Sequence, residues 1–145
     1  MVSACLLGAC CRYDGQSKAN KAILALAEKH ELIPVCPEQL GGLPTPRPPA
    51  EIREDRVVNS LGQDVTAQYE KGAAETLRLF ALLKCELAVL KARSPSCGCG
   101  QIYDGSFSSV LIPGDGRAAA LLKAHGISVL TEESDLFLLE DTKSD

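Results

Sequence analysis

Leu87-Ala88-Val89-Leu90 runs through three residues into Ser94-Pro95-Ser96-Cys97-Gly98-Cys99-Gly100. A short apolar run bounded by a glycine-rich loop reads as a fully buried strand. Upstream, Asp64-Val65-Thr66 offers a helix start. Tyr69, Ala73, Leu77, Phe80, Ala81 and Leu82 then follow at helical spacing toward Cys85. Downstream, Arg117 to His125 reads as a short helix stopped by Gly126. Ile127-Ser128-Val129-Leu130 is the next strand.

The same alternation extends toward the N-terminus. Val2-Ser3-Ala4-Cys5-Leu6-Leu7-Gly8 reads as a strand ending on glycine, and Ser17 caps a helix from about Lys18 to His30. Leu32-Ile33-Pro34-Val35-Cys36 reads as a second strand, with Pro34 a mild objection. Strands alternating with helices imply βαβ units. The expected fold is therefore α/β: three layers around a mainly parallel sheet of the Rossmann or flavodoxin-like kind.

The remaining segments fit around that frame. Pro37 to Pro49 carries five prolines and Gly41-Gly42. It is expected to be a long ordered loop or active-site lid, neither sheet nor helix. Arg53 to Gly62 reads as a polar excursion and Phe107 to Ile112 as a further extended segment. Ser134 to Asp141 reads as a last short helix, and Thr142 to Asp145 as a fraying tail.

The chain has 145 residues, 46% hydrophobic and 23% charged, which suits one domain spanning 1–145 with a real core. A net charge of −4 argues against a phosphate-backbone partner. No apolar run approaches the roughly 20 residues that cross a bilayer. The opening residues carry no charged leader, so a cytoplasmic location with reduced thiols is expected.

Seven cysteines stand out: Cys5, Cys10, Cys11, Cys36, Cys85, Cys97 and Cys99. Cys85 sits in an apolar stretch and reads as a small buried hydrophobe. In open α/β sheets, ligands gather beyond the carboxyl ends of the strands. Cys5 and Cys36 lie at the ends of the first two strands and Cys97 follows the third, so the three are expected to meet at one rim. Converging thiolates suit zinc or an iron–sulfur cluster. The C-x-x-C pairs usual in structural zinc sites are absent. On spacing alone, thiol redox chemistry and simple burial also stay open.

Other signals carry less. Gly114-Asp115-Gly116-x-x-Ala119 matches a dinucleotide fingerprint, with Glu132 or Glu133 at a ribose-acid distance; a plain turn is the alternative. His30 and His125 each end a helix, where the dipole favours them. No G-x-x-x-x-G-K-[ST] loop occurs, which excludes a P-loop nucleotidase.

An ordered series of motifs then carries a resemblance. It runs Cys5-Leu6-Leu7-Gly8, Cys11-Arg12-Tyr13-Asp14-Gly15, Pro34-Val35-Cys36-Pro37-Glu38, Gly41-Gly42-Leu43-Pro44-x-Pro46-Arg47, Gly62-x-Asp64-Val65-Thr66, Ser94-Pro95-Ser96-Cys97-Gly98 and Ile102-Tyr103-Asp104-Gly105. Over roughly Met1 to Glu133 this resembles the thiouracil desulfurase (desulfidase) family. The resemblance implies a 4Fe-4S cluster held by Cys5, Cys36 and Cys97, with the fourth iron open to the sulfur of a thiolated base or nucleoside. It implies non-redox desulfuration, C=S to C=O, with release of hydrosulfide. Glu38, two residues past a proposed ligand, is then a candidate general base or acid, or a solvated loop glutamate. Ser94 and Ser96 are candidates to bond the base or cluster sulfurs, or simply form the turn. Arg47 is a candidate to pair with a substrate carbonyl, or to cover the proline-rich loop. A metal-binding or sulfur-carrier module without turnover, and a nucleotide-binding domain built on Gly114 and Gly116, are the competing readings.

Overall fold

The computed structural model describes residues 1–136 and residue 139. In chain order its elements are β1 (Val2–Ser3), α1 (Lys21–Ala25), β2 (Pro34–Val35), α2 (Pro37–Leu40), β3 (Ala50–Arg53), β4 (Arg56–Asn59), α3 (Thr66–Leu82), β5 (Ala88–Leu90), β6 (Gln101–Tyr103), β7 (Leu111–Pro113), α4 (Arg117–Ala124) and β8 (Val129–Thr131). The central sheet has the order β2-β1-β5-β8, and its three pairings are all parallel. Two antiparallel pairs, β3-β4 and β6-β7, lie outside it.

Side-chain alternation along the strands builds the layers. Met1, Val35, Ala88 and Leu90 pack on one face with Phe80 of α3 and Ala119 and Leu122 of α4. Val2 and Val89 pack on the other with Leu6, Ile23 and Leu26. A third, smaller cluster of Ile52, Val57, Val65, Tyr69 and Ile102 joins the two hairpins to α3. The expected three-layer α/β fold is thus present. Because the first crossover leads to one side of β1 and the next to the other, the strand order reverses between β1 and β5. That is where an open α/β sheet leaves a crevice.

Several segments depart from expectation for local reasons. The first strand stops at Ser3, and Ala4–Leu7 coils into a 3-10 turn that closes on Gly8. The helix expected from Lys18 shrinks to α1 plus a 3-10 turn at Leu26–Glu28. Its cap is Asn20, whose side chain accepts from the Ile23 N–H, and not Ser17. The proline-rich stretch is not wholly loop. Pro37 presets the first turn of α2, as proline does at a helix's first position. The polar excursion from Arg53 is the β3-β4 hairpin, turning with Glu54 at φ +58°. β6 lies in residues to which the sequence reading gave no element, and the extended segment expected over Phe107 to Ile112 narrows to β7 at Leu111–Pro113. The last expected helix and the tail fall largely outside the described residues. Among the described residues no helix is long and apolar enough to cross a membrane.

Candidate functional site

A cavity of about 460 Å³ opens at the carboxyl ends of β1, β2 and β5. Each strand end delivers a thiol to it. Cys5 enters from the 3-10 turn after β1, Cys36 from the residue that precedes α2, and Cys97 from the loop after β5. Cys11 lines the cavity as a fourth thiol. Its carbonyl lies 3.8 Å from the Cys36 Sγ. Cys10 is exposed, Cys85 packs on the edge of the core, and Cys99 donates to the Val129 carbonyl at 3.5 Å; none of these three lines the cavity.

The loop that presents Cys97 is seated by α4. Arg117 N–H donates to the Pro95 carbonyl at 2.9 Å, and Ala118 and Ala119 N–H groups donate to the Ser96 carbonyl at 2.8 and 3.2 Å. Gly116 allows this approach, since a Cβ there would lie 2.5 Å from the Ser96 carbonyl carbon. These contacts correct the dinucleotide reading. The first N–H groups of α4, which would face a pyrophosphate, are taken by the cysteine loop. Glu132 and Glu133 are paired as well: Glu132 with Lys91 at 3.1 Å and Glu133 with Arg93.

Burial governs the thiols. It pushes Cys97 up to about 12, against the pull of the Ser3 and Ser96 hydroxyls, which lie 3.3 and 3.6 Å from its Sγ. Burial pushes Cys11 up to about 12 as well, reinforced by Cys36 and Cys5. Cys5 is raised by burial, and Lys91 opposes the shift. A group that holds these sulfurs as thiolates must displace their protons.

Glu38 sits beside the thiols on α2. Its Oε1 accepts from Arg47 Nε at 2.9 Å and from the Tyr69 hydroxyl at 2.8 Å, and its Oε2 accepts from Ser96 Oγ at 2.9 Å. Ser94 Oγ lies 3.0 Å from Ser96 Oγ and accepts from the Ser96 and Cys97 N–H groups, both at 3.1 Å. A hydroxyl chain therefore runs from Ser94 through Ser96 to the carboxylate. The approach of α2 to α3 that creates this network depends on missing side chains. A Cβ on Gly41 would fall 1.9 Å from the Gln68 carbonyl oxygen, and one on Gly72 would fall 1.9 Å from that of Pro37.

Arg47 lines the cavity, and its guanidinium is buried and engaged by the protein itself. Besides Glu38, it donates to the Pro44 carbonyl at 3.2 Å, the Thr45 hydroxyl at 3.1 Å and the Cys11 carbonyl at 3.0 Å. It locks the proline-rich loop and aims the carboxylate.

Sequence reading missed Ser3, Tyr69 and Lys91. Ser3 was detectable as a polar residue inside a buried apolar strand, since such a hydroxyl needs a partner. It accepts from the Lys91 N–H at 2.9 Å while donating to Cys97. Tyr69 lies on the apolar stripe of α3 and reads there as core.

The donor set suits a soft metal group. Among the described residues, no three His, Cys, Asp or Glu side chains are placed to hold a metal ion. Cys5, Cys36 and Cys97 instead border a shared cavity, as a polynuclear cluster requires of its ligands. Lys91 and Arg12 beside Cys5 offset the negative charge that such a group brings.

The 2-thiouracil desulfurase family matches residues 1–134. The chain is 44% identical over 142 residues to the uncharacterized protein YbbK of Bacillus subtilis (strain 168), covering 91% of this chain and 94% of the relative. Its structure is similar to that of the 4Fe-4S-dependent thiouracil desulfidase TudS. The two share 47% sequence identity and a TM-score of 0.88 over 94% of this chain and 92% of that one. The motif series, the thiols gathered at one rim and these matches lead to one conclusion: the chain belongs to the 2-thiouracil desulfurase family.

Proposed function

We propose that this protein removes sulfur from a thiouracil-like base or nucleoside without net electron transfer, using a 4Fe-4S cluster held by Cys5, Cys36 and Cys97. Residues 1–145 act as one domain in this reading. The observation that carries it is the meeting of three thiols from separate strand ends with one carboxylate in a single cavity. When bound, a cluster with one iron free of protein ligands supplies a Lewis acid for the thiocarbonyl sulfur.

The protein's own groups handle the proton and the water. The reaction adds water across the thiocarbonyl carbon and expels hydrosulfide, so C=S plus H2O becomes C=O plus HS⁻ and a proton. Glu38 takes the proton from the attacking water as general base. Arg47 and Tyr69 fix its Oε1, leaving the carboxylate no freedom to swing away. Ser96 and Ser94 connect Oε2 to the loop beside Cys97 and pass a proton toward the departing sulfur. Ser3 orients the Cys97 sulfur by donating to it. Arg47 is a positioning residue here.

Anaerobic cluster reconstitution followed by hydrosulfide detection with 2-thiouracil and thiolated nucleosides tests this. A brown protein with about four irons per chain that releases hydrosulfide is the expected result. A colourless protein holding a single zinc and turning nothing over would leave a metal-binding module.

A further inference from the structure

Resting on the desulfuration reading, we propose that Phe107 is the stacking wall for the planar ring of the substrate, and that the β6-β7 loop exists to present it. The chain has three Tyr, three Phe and no Trp. All three tyrosines and Phe107 line the one cavity that holds the thiols. Such a concentration of rings matches a flat heteroaromatic ligand.

Among these rings Phe107 is the one without a hydroxyl, so a face is all it offers a ligand. The Tyr69 hydroxyl is bound to Glu38. The Tyr13 ring is covered by the Arg12 guanidinium, 5.5 Å from its centroid. Tyr103 stands in β6, its backbone in register with Leu111 of β7, and its ring lines the same cavity. Phe107 belongs to none of the three buried apolar clusters and stays half-exposed against the cavity.

The loop holds it there against backbone preference. Phe107 and Ser109 have φ values of +57° and +59°, a region that residues with side chains avoid. Such a conformation persists only where its surroundings impose it. Here Glu51 Oε1 accepts from the Gly105 and Phe107 N–H groups at 3.0 and 3.1 Å. Arg53 donates to the Gly105 carbonyl through two nitrogens, at 3.1 and 2.7 Å. Both clamps come from β3, so one hairpin holds the other over the cavity.

The test compares wild type with Phe107→Ala, Phe107→Leu and Phe107→Tyr, each reconstituted to equal iron content. KM for 2-thiouracil, its Kd by equilibrium dialysis, and hydrosulfide release from acyclic thiourea are measured. Loss of one base–aromatic stack weakens binding by about 5- to 150-fold. Phe107→Ala is expected to raise KM and Kd for 2-thiouracil within that range and to leave thiourea, which has no ring to stack, unchanged. Phe107→Leu keeps apolar bulk without a π face and carries the comparison if the alanine variant does not fold. Phe107→Tyr restores the ring and returns the wild-type values. Wild type that binds and desulfurates 2-thiouracil, with unchanged KM and Kd in the alanine or leucine variant, overturns the stacking role alone. Equal losses for 2-thiouracil and thiourea overturn it too. Wild type that neither binds nor desulfurates 2-thiouracil overturns this inference and the desulfuration reading together.

Discussion

The rim of the parallel sheet and the two hairpins beside it face the same cavity but are built by opposite means. At the rim, the thiols follow strands packed from both faces, and their positions are set by the core. The hairpins rest on one small apolar cluster and hold their shape by polar clamps. Among the described residues, three of the five non-glycine positions with positive φ, Glu54, Phe107 and Ser109, lie there. On the functional reading above, reactivity sits where packing is deepest and ring recognition where the backbone is most constrained. The division makes sense physically. A cluster needs ligands that do not drift, whereas a recognition wall can be rebuilt without disturbing the core.

The largest effect that can break this comparison is loss of the cluster. Cys5→Ala, Cys36→Ala and Cys97→Ala are each expected to abolish visible absorbance and the roughly four irons after anaerobic reconstitution. Cys85→Ala and Cys11→Ser should keep both. Bleaching by Cys85→Ala would remove the assignment of ligands to the rim. Next is Glu38→Gln, expected to keep the spectrum while slowing hydrosulfide release by at least about 100-fold, the low end for a general acid–base group. Unchanged turnover would return Glu38 to a loop role.

A smaller effect comes from Tyr69→Phe. It deletes one of three hydrogen bonds to the carboxylate, worth about 1.5 kcal/mol at the low end for a charged acceptor, so turnover should fall about tenfold with iron content intact. The smallest effect belongs to the hairpins. Asp104 is held below its ordinary value of 3.8 by hydrogen bonds from the Ser106 side chain and N–H. A depressed carboxyl stabilises the fold above its unfolded value and loses that contribution as pH falls through the folded one. Asp104→Asn should therefore flatten the acid limb of a stability–pH profile, read by thermal unfolding from pH 6 downward. An unchanged limb would show that the Asp104–Ser106 contact does not hold the loop.

The same division explains what was legible in the sequence. Leu87 to Leu90 and Val2 to Ser3 announced buried strands because continuous apolar runs have few other uses, and the strand-end rule then gathered Cys5, Cys36 and Cys97. Glu38, Ser94 and Ser96 were identified through motifs, and the structure brings all three into one hydrogen-bonded chain. Arg47 was found with two readings, and its bonds to Glu38 and the proline-rich loop could not be chosen in advance, because a guanidinium reads the same whether it faces a ligand or a neighbouring carboxylate. β6 and the presentation of Phe107 left no trace in periodicity. A three-residue strand is shorter than the patterns that reveal one, and the clamps from Glu51 and Arg53 join residues more than fifty positions apart.

Gly41 and Gly72 carry a last consequence. Neither borders the cavity, yet their bare backbones let two helices touch where any methyl group would wedge them apart. The address of the acid is thus written by atoms that are missing. Alanine at either position would wedge α2 away from α3 and push the Glu38 carboxylate out of register with its partners, and Cys36, the residue on which α2 begins, would feel the same displacement.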